Sequence, residues 1–508
     1  MKDAILAVDL GTSRIRSGVF LPDGSCTAVA ARDYPILSPE EGAAEQEPLA
    51  WKSGFFETVR EALEKAGALR IEGVCLSGQM HGTVLLDREQ GLLGNAIIWC
   101  DQRGGKSVRS ILEGVGRDRH GQITGNPLAS GFQAATLAYL KVAQPERFNQ
   151  IGAVLLPKDY LIRELTGEFV SEPTDAVSTG MLDLKFDTGG APDWSEEVLA
   201  FLEVPRSGLP DLIPSLPSKG GANRPLTLSE EAARTCGLPG GLPVLAFGGD
   251  AVIGGELVVG EGTEGEAVGL VSSGGQLLVA GDRPFPDPGR GVHLLPRMEA
   301  GKWFSMAAFL AAGLSLEWWR SLLTGALGVE MRYENLLAEA ARVPPGAEGL
   351  GFAPHIAGER TPLLDPEARG VFWGVSKAHG AGHFVRAILE GVAMSFRQGL
   401  EILDASGGPI RTFSLGGGGV KSPLWRQIFA DVLNREVRTL SDIAETSLVG
   451  AAYCGARVLG WDLGGWRPAR LEGHQPNPRA AREMERRYKE FLQVAPALQN
   501  IRRSGAGV

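Results

Sequence analysis

The sequence predicts a two-lobed α/β protein built around one crevice, and three observations carry that prediction. An apolar run ending in an aspartate and a Gly/Thr/Ser turn opens the chain at residues 4–13, and a coarser version returns at 243–275, which points to a duplicated domain. Segments with strand and helix periodicity alternate along the chain. Glycine reaches 70 of 508 residues, roughly twice its usual share of about 7%. It clusters rather than repeats, as a backbone that must come close to a ligand requires.

Residues 4–9 (AILAVD) read as a buried strand, and 14–20 (RIRSGVF) alternate polar and apolar side chains, so Gly11-Thr12-Ser13 closes an antiparallel hairpin. Pro22-Asp23-Gly24 turns the chain into a third strand at 26–32. Trp51, Phe55, Val59 and Leu63 give 51–66 a helical face. Strands follow at 71–77 and 83–86, separated by Gly78-Gln79-Met80-His81-Gly82. The second onset has a strand at 243–249 before Asp250, then strands at 267–271 and 276–280 joined by Ser272-Ser273-Gly274-Gly275. Helices are expected at 308–323, 382–404, 424–433, 447–458 and 479–493, and a strand at 412–415 runs into glycines 416–419. Residues 504–508 are expected to fray. The lobes are drawn as 1–244 and 245–508.

Composition narrows the function. Hydrophobic residues make up 44% and charged residues 22%, ordinary values for a globular protein. Lys and Arg number 50 against 60 Asp and Glu, a formal charge of −10, which gives no support to a nucleic-acid role. Anionic ligands stay open, because backbone N–H groups can bind phosphate inside an acidic protein. The five cysteines, Cys26, Cys75, Cys100, Cys236 and Cys454, show no C-x-x-C pair, so a reducing cytoplasm is expected rather than a disulfide framework or thiolate zinc. The apolar run before Asp9 is too short for a signal segment, and no stretch approaches about 18 uncharged apolar residues, so no membrane association is expected.

Four segments can carry chemistry. Asp9-Leu10-Gly11-Thr12-Ser13 offers N–H groups and hydroxyls to a phosphate chain and a carboxylate to hydrated Mg²⁺; an Asx-type turn is the alternative. Asp250, between glycines and a helix start, can accept a hydroxyl proton or cap the helix. Gly416–Gly419 before Val420-Lys421-Ser422 lets a ligand approach a helix N-terminus. It matches neither G-x-x-x-x-G-K-[ST] nor G-x-G-x-x-G, and a tight turn is its alternative. His81 can reach a polyol hydroxyl, with Trp99 and Asp101 walling the same pocket, or it can be an ordinary polar residue. A fifth segment, Gly358-Glu359-Arg360-Thr361-Pro362, reads as structural, either a surface turn or a buried ion-pair hinge.

Together the segments resemble the FGGY family of carbohydrate kinases, from Ile5 to about Val458. The resemblance rests on Asp9–Ser13, Ser77–Gly82, Leu155-Leu156-Pro157-Lys158-Asp159-Tyr160, Thr166-Gly167-Glu168, Gly248-Gly249-Asp250, Gly358–Pro362 and Gly417-Gly418-Gly419. It implies two actin-like ATPase (ribonuclease-H-like) domains around a central cleft. It also implies transfer of the ATP γ-phosphoryl to a sugar hydroxyl with Mg²⁺. The Gln79-Met80-His81-Gly82 and Leu-Pro-Lys-Asp-Tyr segments imply D-xylulose as the acceptor. Ribulose, xylitol or glycerol kinases and a non-catalytic actin-like nucleotide-binding protein are the alternatives. By the resemblance, Asp250 is the base and Asp9 the second catalytic carboxylate, and both are candidate Mg²⁺ ligands. Gln79, Met80, His81, Trp99 and Asp101 are candidate sugar contacts. Gly11, Thr12, Ser13, Arg16, Ser273, Gly313, Gly418 and Gly419 are candidate ATP contacts. The partners implied are the sugar and ATP, and a homodimer is left open. Two departures stand out: Ala251 replaces the amide usual after the catalytic Asp, and Ser272-Ser273-Gly274 replaces Gly-Thr-Ser.

Overall fold

The computed structural model describes residues 2–216, 226–260, 265–407, 410–441, 446–471 and 473–505. Strands β1 (Lys2–Leu10), β2 (Arg14–Phe20), β3 (Cys26–Asp33), β4 (Leu69–Gly78) and β5 (Val244–Gly249) form one sheet in the order β5-β4-β1-β2-β3. Within it β1 runs antiparallel to β2 and parallel to β4, and β4 runs parallel to β5. Strands β6 (Glu266–Val271), β7 (Gly275–Gly281), β8 (Val292–Pro296), β9 (Trp303–Phe309), β10 (Thr412–Gly416) and β11 (Arg438–Thr439) form a second sheet in the order β8-β9-β7-β6-β10-β11. Here β6 runs antiparallel to β7 and parallel to β10, and β10 parallel to β11. With β8 set aside, the second sheet repeats the first: β6 stands for β1, β7 for β2, β9 for β3, β10 for β4 and β11 for β5.

The helices used below are α1 (Pro48–Ala66), α2 (Pro157–Thr166), α3 (Pro173–Ala176), α4 (Asp250–Val259), α5 (Gly313–Leu327), α6 (Ala381–Gly407), α7 (Pro423–Leu433), α8 (Thr446–Leu459) and α9 (Pro478–Gly505). The apolar run of β1 follows from burial on both faces. Ala4, Leu6, Val8 and Leu10 pack with Trp51 and Phe55 of α1, while Ile5 and Ala7 pack with Leu448, Ala451 and Ala452 of α8. A helix from late in the chain therefore covers the first sheet. In the second sheet Ala267 and Val271 pack with Val385, Val392 and Phe396 of α6, and Val268 with Val252 and Val258 of α4. Fully burying each such large side chain contributes about 1.5–3 kcal/mol.

The boundary expected at 244/245 falls at the start of β5, whose six residues lie in the first sheet; the chain leaves that sheet at Asp250 and enters α4. The helix expected from 308 begins instead at Gly313. Ala308 and Phe309 pair with Gln276 and Gly275 in the sheet, so tertiary pairing overrides a locally helical pattern. Helix α9 runs through Ser504 and Gly505, beyond the point where fraying was expected, and residues 506–508 lie outside the described residues. Among the described residues no helix is long and apolar enough to cross a membrane.

Candidate active site

Parallel strands bring their carboxyl ends to one edge, and here they bring the two aspartates with them. Asp9 stands opposite Ser77, and both Leu10 and Gly249 stand opposite Gly78. Asp9 and Asp250 thus leave the first sheet on either side of the loop that follows β4. They are separated by two strand spacings, about 10 Å. Open α/β sheets bind ligands outside this edge.

Asp9 is 2% exposed. Its Oδ2 lies 3.5 Å from Nη1 of Arg16 and accepts from the Ser447 hydroxyl at 3.3 Å. Asp250 is half-buried. The cap of α4 is Gly249, and Asp250 is the first helical residue; its Oδ1 accepts from the Ala251 N–H at 2.8 Å. Burial pushes its carboxyl up to about 6, so it can take up or release a proton near neutrality.

The loop after β4 sets an apolar and a polar group beside Asp250. A Cβ on Gly249 would lie 2.0 Å from Cγ of Met80, so only glycine lets the thioether cross the strand end. His81 adopts φ 68°. Its backbone N–H donates to the Ser178 hydroxyl at 3.0 Å, and its Nδ1 lies 2.7 Å from the Ser178 carbonyl. A carbonyl only accepts, so Nδ1 carries the proton and Nε2 is left as an acceptor. Burial and the charge of Arg360 hold this imidazole down to about 3, which keeps it neutral.

Beneath the loop lies a sealed ion cluster. Lys158 of α2 is 0% exposed; its Nζ is 2.6 Å from Asp159, 3.6 Å from Asp175 and 3.9 Å from Glu172. Burial opposes the ammonium charge, but the three carboxylates outweigh it and raise its pKa. Glu172 caps α3 by accepting from the N–H groups of Thr174 and Asp175. Helix α3 delivers Asp175 to within 3.3 Å of the Cβ position of Gly249. Burial lifts the Asp175 carboxyl well above its usual range, and Asp250 adds to the effect.

The first hairpin is braced from the same side. Gln79 donates to Oε1 of Gln46 at 3.0 Å, and Gln46 donates to the Thr12 carbonyl at 2.6 Å. Trp99 donates to the Thr12 hydroxyl at 2.9 Å. Gln79 and Trp99 therefore hold the turn that contains Gly11, Thr12 and the exposed Ser13. Asp101, expected on the pocket wall, is instead locked in a closed network. It accepts from the Ala44 and Arg103 N–H groups and pairs with the Arg103 guanidinium, which needs Asp101, Glu45 and Glu40 to offset its burial.

The second sheet presents a different edge. Leu270 stands opposite Gly416, so the Ser272–Gly274 turn and the glycine loop are neighbours. Gly417 has φ 93° and would place a Cβ 2.5 Å from the Val271 carbonyl; a Cβ on Gly419 would meet Cγ1 of Val271 at 2.5 Å, while one on Gly418 meets nothing within 4 Å. Ala312 and Leu314 N–H groups donate to the Ser273 carbonyl, and Gly313 donates to Ser272. Ser273, Gly313, Gly418 and Gly419 thus form one backbone-rich edge with open space over Gly418. Residues absent from the sequence reading are Asp175, Phe132 and His293, and Arg360 was read as structural. No local pattern marks the first three, because long-range pairing brings them in.

The chain matches the FGGY family of carbohydrate kinases, N-terminal domain, over residues 4–255, and the C-terminal domain of the same family over residues 273–459. It is 31% identical to the xylulose kinase of Bacillus subtilis over 90% of this chain and 88% of that protein. It is 26% identical to the gluconokinase of the same organism over 91% of this chain and 88% of that one. The crystal structure of xylulose kinase from Rhodospirillum rubrum superposes with a TM-score of 0.88 at 30% identity, covering 98% of this chain and 99% of that one. Two strand-matched lobes with these motifs in order make the chain a member of the FGGY family of carbohydrate kinases, and it is an ATP-dependent sugar kinase.

Proposed function

We propose that the protein transfers the γ-phosphoryl group of ATP to a hydroxyl of D-xylulose, giving D-xylulose 5-phosphate, and that it does so in the cytoplasm. The observation that supports this reading is the packing of Met80, in the loop that carries His81, against Gly249, the residue before Asp250 at the carboxyl end of β5, with Asp9 two strands away. The xylulose kinase names of relatives at about 30% identity support the sugar. The gluconokinase relative makes an aldonate the second reading.

Asp250 takes the proton of the attacking hydroxyl, and its raised pKa suits that task. Neutral Nε2 of His81 accepts a second acceptor hydroxyl, and Met80 packs against the carbon chain. Thr12, Ser13 and Arg16 face the phosphates from the first hairpin and Ser273 from the second. Gly313, Gly418 and Gly419 line the nucleotide. Asp9 and Asp250 offer the hard oxygen donors that Mg²⁺ takes, and they would hold the ion with water and phosphate oxygens. When bound, the ion neutralises phosphate charge. Crowding of acceptor and phosphoryl group between the lobes keeps water away from the reaction.

An ADP-release assay with D-xylulose, D-ribulose, L-ribulose, xylitol, glycerol and D-gluconate tests the reading. Preference for D-xylulose is the expected result. Preference for D-gluconate would establish the second reading, and no acceptor-dependent ADP release would defeat both.

A further inference from the structure

Asp250, Met80 and His81 all belong to the first lobe, so an acceptor held by them presents its other end to the second. Arg360 stands there. Its segment is pinned to the ends of β8 and β9. The Thr361 hydroxyl donates to the Gly291 carbonyl at 2.7 Å and accepts from the Ala308 N–H at 3.0 Å, and the Leu310 N–H donates to Glu359 at 3.1 Å. Gly291 lies two residues before His293 on β8. The Phe132 ring stacks on His81 at 4.1 Å between centroids and meets His293 at 6.3 Å. Two imidazoles thus flank one phenyl ring where the lobes meet.

The Arg360 side chain is half-buried, and among the described residues no hydrogen bond or ion pair engages its guanidinium. The neighbouring acid lends it charge but no hydrogen bond: Glu359 binds Nδ1 of His355 at 3.0 Å and accepts from the Arg360 and Leu310 N–H groups. The hinge ion pair that the sequence allowed is therefore absent. The guanidinium charge reaches both His81 and His293 and helps hold them neutral. The anchorage of this segment two residues from His293, which shares the Phe132 ring with His81, sets the positive charge at the His81 end of the acceptor pocket. Five N–H donors with no partner, next to neutral rings, suit an anionic or carbonyl oxygen.

We propose that Arg360 is a specificity-determining residue that donates to an oxo or carboxylate oxygen at the end of the acceptor remote from the hydroxyl that is phosphorylated. This rests on the sugar-kinase reading of the pocket and deepens it: ketoses and aldonates are preferred over alditols.

The test compares kcat/KM for D-xylulose, D-gluconate, xylitol and glycerol in the wild type, Arg360→Met and Arg360→Lys, with calorimetric titration of the preferred acceptor. In Arg360→Met the preference for the oxo or carboxylate acceptor over xylitol is expected to fall about tenfold. That loss lies in acceptor KM and affinity rather than in KM for ATP. Arg360→Lys recovers part of it, and it carries the test if the Met variant does not fold. An unchanged preference ratio, or an equal loss for every acceptor, overturns the proposal. A wild type that favours xylitol or glycerol overturns it while leaving the kinase reading intact. A wild type whose ADP release is stimulated by none of these acceptors defeats that reading, and this inference with it.

Discussion

The two sheets share a strand plan and differ in what stands at their carboxyl ends. The first ends in Asp9, the Met80-His81 loop and Asp250, with a sealed lysine–carboxylate cluster underneath. The second ends in the Ser272 turn, Gly313 and the Gly417–Gly419 loop, nearly bare of side chains. The difference follows from the work. Taking a proton from a hydroxyl needs a positioned carboxyl. A triphosphate needs close backbone N–H groups, and a carboxylate there would repel it. In the proposed reading one scaffold serves both ligands by exchange of its end residues, with the first hairpin also facing the phosphates.

If this division holds, damage to one end spares the other. The largest effect on stability falls at the first end. Lys158→Met leaves Asp159, Glu172 and Asp175 buried without their cation, and it is expected to cost about 3–5 kcal/mol, measured as lost denaturant stability. Next is the seam between the lobes, where Asn126 donates to the Leu294 carbonyl at 2.9 Å and accepts its N–H at 3.2 Å. Asn126→Ala leaves both backbone groups of this edge strand unpaired, at about 1–3 kcal/mol in the same measurement. At the second end, Gly418→Val directs its side chain into open space, so the fold persists while KM for ATP rises roughly tenfold and acceptor affinity is kept. The smallest effect is the acid limb of activity. Asp250 accepts a proton only when ionised, and its pKa is raised to about 6. A profile of kcat/KM against pH should therefore be level above 6 and fall about tenfold per unit below it.

Much of the first end was legible in the sequence. An apolar run closing on Asp9, and a second closing on Asp250, already imply strands whose ends carry acids. The parallel register of β1, β4 and β5 then puts both at one edge. The glycines at 417–419 were legible for a similar reason, because a strand-to-helix turn without side chains has few uses. Asp175, Phe132 and His293 were not legible. Each reaches the site through a helix cap, a loop or an added strand, and nothing local distinguishes it from an ordinary polar or core residue. Arg360 was visible as a motif, but its role depends on where Glu359 spends its oxygens. The start of α5 was misplaced because the pairing of Ala308 and Phe309 with β7 is non-local.

Asp250→Ala offers the most direct check of a shared crevice with its base on the first lobe. Steady-state ADP release should drop by about 10²–10⁴-fold, while calorimetry finds ATP bound as in the parent enzyme. Turnover close to the parent's would contradict the account.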